Sequence, residues 1–96
     1  MSNSSKQRSD SGIEITWHGH STWSIRTGKF HLLIDPFLEA NPVAKTAPGQ
    51  LDPTHILVSH GHFDHIADAA SIAKRSGAQV LANYEIATWL GKHHGV

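Results

Sequence analysis

Six consecutive residues, His60-Gly61-His62-Phe63-Asp64-His65, hold four side chains able to bind a metal. His60 and His62 are two apart, so in an extended or sharply turned segment both imidazoles face one side. Gly61 between them admits backbone angles that a larger residue resists. Asp64 and His65 follow where the chain turns toward a helix, and are aimed at a second, adjacent point. The layout offers two ligands to each of two cations. Zinc, manganese and iron all accept imidazole with carboxylate, so ligand type leaves the metal open. The chemistry on offer is a bound water whose pKa falls toward about 7, giving hydroxide near neutral pH. Asp64 is the candidate catalytic carboxylate, placed to orient that water or take its proton.

Other candidates lie upstream. His18 and His20 flank Gly19 at a strand end. Each reads as a substrate contact, a donor behind a ligand, or a structural histidine. Asp35 precedes Pro36. It is a candidate brace for a ligand histidine, against the plainer reading of a turn-forming Asp-Pro. His31, His55, His93 and His94 carry no such context. Trp17, Trp23 and Trp89 are expected in the core.

Several elements must position these groups. Residues 1–12 show no apolar periodicity and read as a disordered tail, leaving 13–96 as the folded part. Ile13, Ile15 and Trp17 alternate with polar residues, as a half-buried strand does. Residues 22–27 resume the alternation after an interruption at 18–21. Gly28-Lys29 then turns the chain into a strand over 30–34, forming a hairpin. Residues 37–53 read as a long loop that contributes to the pocket. A short apolar strand over 55–58 ends at the histidine cluster. Ile66, Ala69, Ala70 and Ala73 then share one helical face, and Gly77 ends the helix. A strand over 79–82 leads to a second helix, capped by Asn83 and stopped by Gly91. Strand, helix, strand, helix at this spacing implies βαβ units and a partly parallel sheet.

Composition narrows the function. The 96 residues contain eight Lys+Arg, eight Asp+Glu and nine His, with no cysteine. A net charge of zero without a basic cluster argues against nucleic-acid binding and against a polybasic membrane anchor. Without cysteine there is no disulfide framework, thiolate ligand or thiol nucleophile. No apolar run reaches the length of a membrane span, and none follows a basic start as in a signal peptide. The expected location is cytoplasmic.

The motif His60-Gly61-His62-Phe63-Asp64-His65 resembles the His-x-His-x-Asp-His signature of the metallo-β-lactamase superfamily. Trp17-His18-Gly19-His20-Ser21, Leu33-Ile34-Asp35-Pro36 and Asn83-Tyr84-Glu85-Ile86 resemble, more narrowly, the metal-dependent hydrolases similar to ascorbate-6-phosphate lactonase. The resemblance runs from about Ile13 to Val96. It implies an α/β (α+β) chain forming the N-terminal half of an αββα sandwich, a mixed sheet with helices on one face. It also implies that His60 and His62 serve one metal, and Asp64 and His65 a second. Asp35 would brace the loop and His20 would be a substrate-binding pocket residue. Family metals are usually zinc, with manganese or iron in some members.

Members of the family take further ligands from later sequence, and after His65 only His93 and His94 remain here. The expectation is therefore a fragment whose sheet keeps an uncovered apolar face, inviting a homo-oligomer. The expected function is metal-dependent hydrolysis of a small-molecule lactone, ester or phosphoester by metal-activated hydroxide. The alternative is a truncated, inactive fragment that retains metal affinity. A nuclease of the same superfamily fits the charge balance less well.

Overall fold

A computed structural model describes residues 6–8 and 12–96. Six strands form one sheet in sequence order: β1 (Lys6–Arg8), β2 (Ile13–Gly19), β3 (Thr22–Thr27), β4 (Phe30–Ile34), β5 (His55–Leu57) and β6 (Gln79–Leu81). β1 to β4 pair antiparallel with one another in turn, whereas β5 is parallel to β4 and β6 parallel to β5. Helices α1 (Phe63–Ile66), α2 (Ala69–Ser76) and α3 (Tyr84–His94) complete the fold. The mixed sheet expected from the alternation is present. The tail reading of residues 1–12 falls largely outside the described residues, but Lys6–Arg8 pairs along β2.

The βαβ order puts α2 between two parallel strands, and its apolar stripe supplies the core. Ala69, Ile72 and Ala73 of α2, with Ile86 and Leu90 of α3, are buried with Leu33 and Ile56 of the central strands. Gly77 and Gly95 end α2 and α3 in the left-handed conformation. The second helix therefore runs through Gly91, the expected stop, and takes His93 and His94 into its last turn. There His94 packs on Trp89, with ring centroids 4.5 Å apart. The single helix expected after His65 is divided into α1 and α2. Asp68, at the break, turns its carboxylate away and accepts from the Leu38 and Glu39 N–H groups, so it anchors the long loop.

The three tryptophans correct the expectation of core burial. Trp17 and Trp23 are cross-strand partners, 40% and 39% exposed, on the sheet face opposite the helices. Trp89 is 44% exposed on α3. Period-2 alternation groups side chains on a face without saying which face is covered. Phe30, paired with Thr27, and Leu81, beyond Leu57, are also exposed on the helix-free face.

Candidate metal centre

The parallel strands and β4 end together at one edge of the sheet, and the site is built there. Asp35 continues β4, its N–H donating to the Leu57 carbonyl at 2.8 Å. It is buried, with φ of 47°. His20 sits at the β2–β3 connection with φ of 55°. Among the described residues these are the two non-glycine positions with positive φ, and both belong to the site. Such strain persists where the surroundings over-determine it. At Asp35, the Thr22 hydroxyl donates to its carbonyl (2.6 Å) and accepts from the Phe37 N–H (3.1 Å). At His20, the Trp17 indole N–H donates to the carbonyl at 2.9 Å.

The glycine that the site depends on is Gly19, not Gly61. Gly19 has φ of +104°, and a Cβ there would lie 2.5 Å from Val43 Cγ2 and 3.0 Å from Asn41 Nδ2. Gly61 needs no left-handed angle, and a Cβ there would make ordinary contact with Ile86 at 3.9 Å. The buried Asn41 holds the loop over Gly19. Its amide donates to the Phe37 carbonyl and accepts from the Val43 N–H. Phe37 then meets the His20 ring edge-on, at 5.8 Å between centroids.

His20 Nε2 lies 3.1 Å from Asp64 Oδ2, and His65 Nε2 lies 3.6 Å from Asp64 Oδ1. One ligand atom from each of His20, Asp64 and His65 falls within 4.8 Å of the others. His65 is largely buried, and its Nδ1 is 2.9 Å from Asp35 Oδ2. This is the carboxylate–imidazole pairing that fixes a ligand histidine's orientation. His60 stacks beside His65 with centroids 3.8 Å apart, and meets His62 at 4.7 Å. The four motif residues thus lie side by side, with His20 brought in from the β2–β3 connection and Asp35 beneath. The donor set fits a divalent cation: imidazole nitrogens and a carboxylate converge at bridging distance, and one imidazole is braced from behind.

Ser59 was invisible to sequence reading. Its N–H donates to Asp35 Oδ1 and its hydroxyl to Asp35 Oδ2, both at 2.6 Å. The same hydroxyl lies 3.0 Å from His60 Nδ1. A lone serine after an apolar strand carries no signal until the Asp35 contact is known.

His18 and His31 form a second, buried cluster on the helix-covered side. His18 Nε2 lies 2.7 Å and His31 Nε2 3.0 Å from Ser24 Oγ. Burial and then the Arg26 guanidinium hold His18 below its ordinary value. Burial, Arg26 and His18, in that order, push His31 down to about 4 against a smaller upward effect of Asp52. His18, read as a possible pocket group, is thus taken up inside the fold.

A mixed sheet that gathers histidines and aspartates able to hold a cation at its strand ends is the arrangement of a metal-site α/β protein. The chain belongs to the metallo-β-lactamase superfamily, whose sequence profile matches residues 15–96. It is 55% identical over 74 residues to a UPF0173 metal-dependent hydrolase from Thermoplasma volcanium, covering 77% of this chain and 33% of that one. A UPF0173 metal-dependent hydrolase from Methylacidiphilum infernorum is 49% identical over 81 residues, covering 83% and 36%. The solved structure of Igni18, a metallo hydrolase from Ignicoccus hospitalis, matches with a TM-score of 0.76 at 30% identity, covering 83% of this chain and 36% of Igni18. The chain spans about a third of the length of the relatives it matches. No helix among the described residues is long and apolar enough to cross a membrane.

Proposed function

We propose that this chain carries the metal-binding face of a metal-dependent hydrolase acting on a small-molecule lactone, ester or phosphoester. The observation that supports it best is the convergence of His20, Asp64 and His65 ligand atoms within 4.8 Å, with His65 braced by Asp35. His60 and His62 would hold one divalent cation and Asp64 and His65 another, zinc being the first candidate and manganese or iron the others. Held there, a divalent cation would make an ionised water available near neutral pH and would polarise a substrate oxygen.

The protein's own groups have separate tasks. The Asp64 carboxylate, 43% exposed, faces the open side and can orient the attacking water or receive its proton. His65 is held still by Asp35, so its Nε2 keeps one direction. His20, whose Nε2 lies 3.1 Å from Asp64 Oδ2, is placed to contact a substrate beside that carboxylate. Its ring is wedged against Phe37 and His65, which limits its rotation.

The test is metal titration of the chain followed by hydrolysis assays on chromogenic lactones, esters and phosphoesters. Turnover that Asp64→Asn abolishes while the fold is kept supports the hydrolase. Metal binding without turnover, in a chain a third of its relatives' length, favours the inactive metal-binding fragment. Neither binding nor turnover removes both readings.

A further inference from the structure

Ser59 sits between the buried carboxylate and the first histidine of the motif. Its hydroxyl is 2.6 Å from Asp35 Oδ2 and 3.0 Å from His60 Nδ1. A hydroxyl has one proton to give, and a carboxylate can only accept. The Ser59 proton therefore goes to Asp35, leaving Oγ as an acceptor toward His60. That contact is a hydrogen bond only if His60 carries its proton on Nδ1. His65 reaches the same Asp35 Oδ2 directly at 2.9 Å and must also be protonated on Nδ1. In both rings the lone pair is then on Nε2, and the two rings lie side by side.

We propose that Ser59 is a positioning residue that extends the hold of Asp35 to His60, so that one carboxylate sets the tautomer of two imidazoles. It rests on the reading of His60 and His65 as ligands only for its consequence, stronger metal binding. The tautomers themselves belong to the metal-free protein. The Ser59 N–H bond to Asp35 Oδ1 keeps the carboxylate aligned for both tasks.

Long-range proton–nitrogen NMR of the imidazoles in the metal-free chain, at a pH where they are neutral, tests this. His60 and His65 are expected as Nδ1–H tautomers. Ser59→Ala should release His60 into a mixture while His65 keeps its tautomer, and Ser59→Thr should restore His60. Zinc or manganese affinity should fall about 10–100-fold in Ser59→Ala and recover in Ser59→Thr. An Nε2–H His60 in the unsubstituted chain, or a His60 indifferent to Ser59→Ala, overturns the proposal without variant stability entering. If the tautomers follow Ser59 but no metal binds, the positioning role stands and the ligand assignment falls.

Discussion

At the residue scale, Asp35 receives three donors: the Ser59 N–H, the Ser59 hydroxyl and His65 Nδ1. An amide at this position would set an NH2 group against at least one of those donors. Asp35→Asn should therefore weaken metal retention about 10–100-fold, the usual loss for a partner behind a ligand. Competition with a chelator measures it, and an unchanged affinity would return Asp35 to a turn-forming role.

His31 makes a separate prediction. Its buried Nδ1 has no hydrogen-bond partner among the described residues. The neutral ring is favoured in the fold, with a pKa near 4 against an ordinary 6.5. Between those values the unfolded chain binds more protons, so stability rises with pH. The contribution is complete above about pH 6.5 and is lost as pH falls through 4, with ~3 kcal/mol at stake. Urea melts of the metal-free chain should show that slope, and His31→Leu should flatten it. Parallel curves for the two would contradict the assignment.

At the element scale, the site exists because strand ends and one glycine bring three segments to a common edge. Adding a Cβ at Gly19 meets Val43 and Asn41, and φ of +104° is costly for any side chain. Gly19→Ala should cost roughly 1–3 kcal/mol in denaturant unfolding. Gly61→Ala, which has ordinary room, should cost less; the reverse order would contradict this placement. Sequence periodicity revealed most strands and the apolar face of α2, because local burial patterns repeat at 2 and 3.6 residues. It missed the break at Asp68 and the passage of α3 through Gly91, since both are decided by distant partners. The motif residues were legible because their types are chemical. Ser59 and the importance of Gly19 were not, because each acts only through a contact made by folding.

At the scale of the molecule, one sheet face is packed by helices and the other is not. Trp17, Trp23, Phe30 and Leu81 are 39–50% exposed on the helix-free side. A contiguous apolar face of this kind drives association. The chain on its own should sediment with a mass that rises with concentration, as a homo-oligomer, and Trp23→Glu should lower that mass. A monomer at every concentration would contradict it. Which face was covered could not be read from alternation, and so the tryptophans were expected on the wrong side.

The central claim is that the histidine–aspartate cluster holds a divalent cation. Elemental mass spectrometry of the purified chain beside His65→Ala tests it most directly. The account predicts at least one equivalent of zinc, manganese or iron in the unsubstituted chain and a sharp loss in the variant. A chain without stoichiometric metal, or equal content in the two, would contradict it.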